Sequence, residues 1–229
     1  MSPLIEPRPE EAMPTLPAVA TRETLETMHT VDVLAWAADE FGSGLVVTCS
    51  FADAVLPHLV SRAAPDAAVV LLDTQYLFAE TWWFARSLAR DLHLNLHVIE
   101  PLVDPDDQWR TDTEACCHVR KVEPLERALS GRTAWVTGLR RVEAPTRSNA
   151  PIVSHDLLRD IVKINPLVAW TDEDMAEYIE REGLPKHPLT AKGYLSIGCW
   201  PCTQPVAAGA DPRSGRWAGS AKTECGLHR

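Results

Sequence analysis

An α/β fold with a mostly parallel sheet flanked by helices is predicted from three observations. Short β-branched apolar runs alternate with stretches of helical period. The first two runs end on small polar residues, at Ser50 and at Asp73-Thr74. From about Gly183 onward the periodicity is lost, and Pro185, Pro188, Pro201, Pro205 and Pro212 with several glycines make a loop-rich C-terminal segment. Strands alternating with helices bury both faces of a parallel sheet. In such folds ligands sit beyond the carboxyl ends of the strands, at a topological switch point.

The elements follow in order. Leu45 to Cys49 is a buried strand behind Gly42 and Gly44. Ser50 reads as the N-cap of the next helix, with Asp53 three residues on and Ala54, Val55, Leu59 and Val60 at helical spacing. Pro57 implies a short or distorted first turn. Ala67 to Leu72 is a second strand, Phe78 to Asp91 a helix, and Asn95 to Glu100 a third strand. Val119 to Leu129 is helical, and Ala134 to Gly138 and Ile161 to Asn165 are strands. Thr171 caps a helix that runs to about Glu182, with Asp172, Glu173 and Asp174 at its positive end and Gly183 as its stop.

At 229 residues the chain can bury one full core. Residues 22–229 are expected to form a single domain. Residues 1–21 carry Pro3, Pro7, Pro9, Pro14 and Pro17, have no apolar core of a secretory signal, and are expected to be disordered. No apolar stretch reaches membrane-spanning length, so a cytoplasmic protein with no membrane partner is expected. A net charge of −10 argues against general nucleic-acid binding. The charge is uneven. Residues 1–119 hold six basic against nineteen acidic side chains, and residues 120–229 hold sixteen against thirteen. The basic clusters (Arg120-Lys121, Arg140-Arg141 with Arg147, and Arg213 with Arg216) lie in the half that starts just after Cys116-Cys117 and carries Cys199, Cys202 and Cys225. That placement favours a small anionic substrate over a merely solvated surface.

Five of six cysteines fall into three groups: Cys116-Cys117, Cys199-Trp200-Pro201-Cys202, and Cys225 on a Gly-containing tail. Cys49 sits in an apolar run and reads as core. In the cytosol, clustered thiols serve metals or catalysis more often than disulfides. A Cys-x-x-Cys turn suits one metal centre. Vicinal cysteines reach a single small ion only with difficulty but can splay onto two irons of a larger cluster, so four thiolates without a nearby His favour iron–sulfur over zinc. A reduced core pair with a redox dithiol is the competing reading.

The surrounding residues carry a resemblance. Cys116-Cys117-His118-Val119-Arg120-Lys121-Val122-Glu123-Pro124-Leu125 is similar to the Cys-Cys-x-x-Arg-Lys-x-x-Pro-Leu signature of assimilatory adenylylsulfate (APS) reductases, the iron–sulfur branch of the PAPS/APS reductase family. The match continues in order through Trp135 to Arg141, Ala144 to Arg147, Lys163 to Leu167, Trp170 to Asp172 and Gly193 to Cys202. It ends with Gly209 to Trp217, Ala221 to Thr223 and Glu224-Cys225-Gly226-Leu227-His228. The double Arg followed by Ala-Pro-Thr-Arg resembles the actinobacterial branch.

The resemblance implies an adenine-nucleotide α-hydrolase-like fold and two-electron reduction of APS to sulfite and AMP, within sulfate assimilation and cysteine biosynthesis. It implies a 4Fe-4S cluster on the positions of Cys116, Cys117, Cys199 and Cys202, and a mobile catalytic tail of about residues 203–229. Cys225 would attack the sulfur and form an S-sulfocysteine. Thioredoxin would then release sulfite. Lys222, His228 and the substrate-binding arginines are the candidates for lowering the Cys225 pKa.

Lys121, Arg213 and Arg216 match positions that grip the anionic end of the substrate, with Arg140, Arg141 and Arg147 as a further clamp and His228 beside them. Ser50 would bind phosphate at a helix start, as in the phosphate loop of that superfamily, although the Gly-Gly pair is missing. Asp73-Thr74 resembles the Leu-Asp-Thr-Gly turn that meets adenosine, with Gln75 in place of the glycine. If the turn needs positive φ, Gln75 pays strain.

The alternatives are a reductase of the 3′-phosphorylated substrate (PAPS), or of both substrates, by the same mechanism; a zinc-stabilised nucleotide-binding module; and a dithiol oxidoreductase through Cys199 and Cys202. A homo-oligomer is left open.

Overall fold

The computed structural model describes residues 22–220 and 222–228. The N-terminal segment expected to be disordered, and Ala221 and Arg229 of the matched tail, lie outside the described residues.

Among the described residues six strands form one sheet, in the order β3-β2-β1-β4-β6-β5. They are β1 (Leu45–Thr48), β2 (Ala68–Leu72), β3 (Asn95–Ile99), β4 (Ala134–Thr137), β5 (Val153–Asp156) and β6 (Ile161–Ile164). The pairings of β1 with β2 and β4, of β2 with β3, and of β4 with β6 are all parallel. Only β5 runs antiparallel, at the edge, with Val153 opposite Ile164. The predicted strands are found within one residue of their expected ends. The chain lays β2 and β3 on one side of β1 and then returns to place β4 on the other, so the switch point lies between β1 and β4.

The helices are α1 (Arg22–Thr27), α2 (Thr30–Phe41), α3 (Val55–Ala63), α4 (Ala79–Asp91), α5 (Gln108–Thr111), α6 (Thr113–Cys117), α7 (Glu123–Leu129) and α8 (Asp172–Arg181). Strand side chains alternate between two cores, as the pleat requires. Leu45, Val47, Val69, Leu71, Ala134 and Val136 pack with α2, α3, α4 and α8. Val46, Ala68, Val70, Trp135 and Ile161 face Leu125, Ala128 and Leu129 of α7. On α4, Thr81, Phe84, Ala85 and Leu88 are buried at helical spacing. Thr171 caps α8 as expected: its Oγ1 accepts from the Asp174 N–H at 3.1 Å, and Asp174 Oδ2 accepts the Thr171 N–H at 2.8 Å.

Two expectations change. Ser50 does not cap α3. Phe51 turns into positive φ (53°) and is fully buried, which carries the chain past Ser50, and Asp53 Oδ1 instead accepts the Val55 N–H at 2.8 Å. The expected helix over 119–129 is not uniform either. His118–Val122 is a widened π turn ahead of α7. Pro124 explains it: a regular α-turn would need its missing N–H and would clash with the Arg120 carbonyl.

Candidate functional site

Two chain segments bring the four clustered cysteines to one place. Asp112 caps α6 by accepting the Glu114 and Ala115 N–H groups at 3.0 and 2.9 Å, and this short helix delivers Cys116 and Cys117, both buried. Cys199 and Cys202 flank a tight turn closed by Cys202 N–H to Cys199 O at 3.0 Å. That turn is tied to the turn after β2. The Trp200 N–H reaches Tyr76 O at 2.8 Å, and Thr74 Oγ1 lies 3.2 Å from Cys199 Sγ. All four cysteines line one small void with Tyr76, Trp109, Arg120 and Lys121. Trp200 meets Tyr76 and Trp109 edge to face, with ring centroids 6.2 and 5.7 Å apart.

The donor set has a definite chemistry. Burial, with Cys117, Cys199 and Cys202 beside it, pushes the Cys116 thiol up to about 11. Burial also raises Cys202. Buried thiols of this kind lose their protons when a cationic centre binds them. Among the described residues no group of three or more His, Cys, Asp or Glu side chains is arranged to hold a metal ion. Four thiols lining one void are a donor set suited to a soft metal centre.

The C-terminal tail folds back over this centre. Thr203 bridges Arg216, and the Trp217 N–H donates to Cys202 O at 3.0 Å, so the intervening loop presents Arg213 and Arg216. Gly198 makes room: a Cβ there would lie 2.5–2.9 Å from the Arg216 guanidinium. Lys222 Nζ donates to Thr113 O at 2.9 Å and pairs with Glu114 at 3.2 Å. Glu224 accepts from Thr146 and Arg147. Gly226, at φ 86°, turns Leu227 onto the α7 side of the sheet. His228 stacks on Trp135, with centroids 5.6 Å apart and planes 17° apart.

Cys225 is thereby held in a cationic setting. Burial works to raise its pKa, but Lys121, the Leu227 backbone N–H and Arg216 outweigh it, and the thiol lies below its ordinary value. Lys121 has no carboxylate partner among the described residues. Burial would lower its ammonium pKa, yet Cys199, Cys225 and Cys117 hold it up. A cavity of about 430 Å³ borders Cys225 and Gly226, lined also by Glu114, His118, Glu126 and Arg159.

The other expected site residues separate into groups. Asp73 and Thr74 lie buried at the end of β2, with Asp73 Oδ1 accepting the Gln75 N–H at 2.8 Å. Gln75 does take positive φ, 65°. Ser50 is exposed beyond β1, near the switch point. Arg140 pairs with Asp172 at 2.8 Å and Glu143 at 3.7 Å, and Arg141 pairs with Glu26 at 2.9 Å. Of the expected clamp, only Arg147 joins the tail. Lys222 and His228 do not supply the charge that activates Cys225: Lys222 is spent on Glu114, and burial with Lys163, Arg147, Arg159 and Arg213 nearby holds His228 neutral. Sequence reasoning also missed Glu224 and Lys163. Lys163 Nζ lies over the Trp135 ring at 4.7 Å, and burial lowers it to about 8. The sequence signal for both was their place inside matched motifs.

Residues 44–205 match the phosphoadenosine phosphosulfate reductase domain. The chain belongs to that family. Within it, the chain is 48% identical to the adenosine 5′-phosphosulfate reductase of Mycolicibacterium smegmatis, covering 86% of this chain and 87% of that protein. It is 43% identical to the one of Streptomyces coelicolor over the whole of both. Among solved structures it resembles the phosphoadenylyl-sulfate reductase of Candida auris in a phosphate complex, with TM-score 0.71 and 28% identity over 80% of this chain and 94% of that one. The FMN adenylyltransferase of Candida glabrata shares the fold alone, with TM-score 0.58 and 14% identity over 84% of this chain and 70% of that one. The fold is therefore the mostly parallel α/β architecture that the sequence predicts. No described helix is long and apolar enough to cross a membrane.

Proposed function

We propose that this protein reduces adenylylsulfate to sulfite and AMP in the cytosol, as a step of sulfate assimilation, with thioredoxin as reductant. The observation that carries the reading is Lys121, a buried cation in the field of Cys225 and of the clustered Cys199 and Cys117 alike, which with Arg216 lowers the Cys225 pKa. The names of relatives at 42–48% identity supply the substrate.

Cys225 thiolate attacks the sulfur of the sulfo group. The bond from that sulfur to the bridging oxygen breaks, and AMP leaves with its electron pair. Lys121, Arg213 and Arg216 bind the sulfo and phosphate oxygens, and Arg147 extends the cationic wall. The product is Cys225 S-sulfocysteine. A thiolate of reduced thioredoxin then attacks the Cys225 sulfur, and sulfite leaves with the electrons of that sulfur–sulfur bond. The second thioredoxin thiol resolves the mixed disulfide and returns Cys225 as a thiol. The dithiol supplies both electrons. The tail, about residues 203–229, must lift for this second half, and residues 22–229 act as one reductase domain.

Cys116, Cys117, Cys199 and Cys202 would hold a 4Fe-4S cluster. When bound it supplies a fixed anionic body that orders Lys121 and the thiol-bearing turns. Asp73, Thr74 and Ser50, at the strand ends, would meet the nucleoside.

Cys225→Ser tests the reading. The variant should bind APS, keep its iron and release no sulfite; normal turnover would overturn the assignment. Purified APS and PAPS compared in the same assay decide the substrate, and activity with PAPS alone would favour the alternative raised by the Candida auris resemblance.

A further inference from the structure

Glu224 sits immediately before the nucleophile, and its carboxylate has a built receptor. Arg147 Nε donates to Oε1 at 2.7 Å and Arg147 Nη2 to Oε2 at 2.6 Å, a bidentate fork. Thr146 Oγ1 donates to Oε1 at 3.2 Å, and Arg213 Nη2 lies 3.6 Å from Oε2. Arg147 is itself gripped from behind by Glu143. The receptor belongs to the 3-10 turn Pro145–Arg147, remote in sequence from the tail. Side-chain exposure is 10% for Arg147 and 19% for Glu224, so water screens the pair only in part.

We propose that Glu224 is the positioning residue that docks Cys225 for attack, by pairing with Arg147. Its own charge works to raise the Cys225 pKa, against Lys121 and Arg216, so its part is not activation of the thiol. It acts one peptide unit away, by fixing where the backbone of Cys225 lies. Other contacts also hold the tail, among them Lys222 on Thr113 and Glu114, Leu227 on the α7 side of the sheet and His228 on Trp135. They flank Cys225 on either side, whereas Glu224 is adjacent to it. Releasing this one ion pair would free the nucleophile while leaving the sheet, the helices and the four-cysteine centre intact. The same contact must break when the reductant reaches Cys225. The inference takes Cys225 as nucleophile from the proposed function, but docking can be measured without substrate.

The test compares wild type, Glu224→Gln, Arg147→Met and the double variant as purified full-length protein. Hydrogen exchange of the tail amides is read by mass spectrometry. Alongside it, the ratio of Cys225 labelling by a bulky maleimide to labelling by iodoacetamide cancels any change in thiol pKa. Each single variant should speed tail exchange and raise that ratio about tenfold, the scale set by losing one charge-assisted contact. The double variant should do no more than either single one. Glu224→Asp should restore part of the protection. In turnover, Glu224→Gln should lower kcat and leave KM for APS nearly unchanged. Unchanged exchange and labelling in Glu224→Gln would overturn the proposal, as would additive effects in the double variant. If Arg147→Met does not fold, Glu224→Gln against Glu224→Asp decides alone. A catalytically normal Cys225→Ser would instead overturn the nucleophile assignment and leave the docking result standing.

Discussion

Gln75 accepts a hydrogen bond through Oε1 from Arg120, the buried arginine of the turn that follows Cys116-Cys117. Gln75 stands in the left-handed region, at φ 65°, where glycine costs least. The side chain that makes this position strained also accepts from Nη1 of a guanidinium only 1% exposed, whose Nε has no partner. Arg120 donates further to Asp104 O at 2.7 Å, pairs with Asp106 at 3.3 Å and covers the Tyr76 ring at 4.7 Å. The turn after β2 and the cysteine-bearing helix are thus locked to each other.

Arg120→Ala is expected to lower unfolding free energy by roughly 3 kcal/mol or more, because it strips partners from a buried charged network. Iron retained through purification should fall with it. Gln75→Gly should be nearly neutral in a urea melt, since relief of about 1 kcal/mol of backbone strain partly offsets the lost bond. An Arg120→Ala protein as stable as wild type would contradict the lock.

Gly198→Ala should impair substrate binding without unfolding the chain. The added Cβ meets the flexible end of Arg216 at 2.5–2.9 Å, so the guanidinium moves and the backbone stays. Misplacing one anion-binding group should raise KM for APS by about tenfold or more. Thermal melts alongside initial rates check this, and an unchanged KM would mean that Arg216 does not hold the anion.

The Cys225 thiol should titrate below the ordinary cysteine value when its alkylation rate is followed against pH. Lys121, its largest favourable charge, sets the direction. Lys121→Met should therefore move the midpoint up. A midpoint that does not move would remove Lys121 from the activation of the nucleophile.

Docking of the tail should weaken as pH falls below 6.5. His228 is stacked and neutral when docked, with its pKa well below that value. A tail that has swung out regains an ordinary imidazole pKa and takes up a proton below it. Stability of the docked state is therefore fully present above 6.5 and lost as the pH drops toward the lowered value. The bulky-to-small labelling ratio at Cys225 should rise from about pH 7.5 to about pH 5.5. His228→Phe should keep the stacking and flatten this dependence.

Much of this was legible because it depends on residue type and period. The central strands are short apolar runs whose partners lie on both faces, so hydrophobicity alone marked them. The edge strand β5 escaped notice because Val153–Asp156 is mostly polar and pairs on one side only. The helix start at Ser50 was misplaced because Phe51 adopts a left-handed conformation that no local pattern announces. The gathering of Cys116, Cys117, Cys199 and Cys202 was foreshadowed because thiol pairs stand out by residue type and spacing. The pairing of Glu224 with Arg147 was not, because 77 residues separate them and only the folded tail brings them together. Arg140 and Arg141 looked like substrate clamps in sequence and instead hold Asp172, Glu143 and Glu26.

The central claim is that the sulfur of Cys225 carries the sulfo group between two half-reactions. Its most direct measurement is mass spectrometry of the protein incubated anaerobically with APS and no reductant. One added SO3 per chain is expected on the peptide bearing Cys225, formed with one AMP and discharged as sulfite when reduced thioredoxin is added. AMP released with no adduct, or an adduct on any other cysteine, would contradict it.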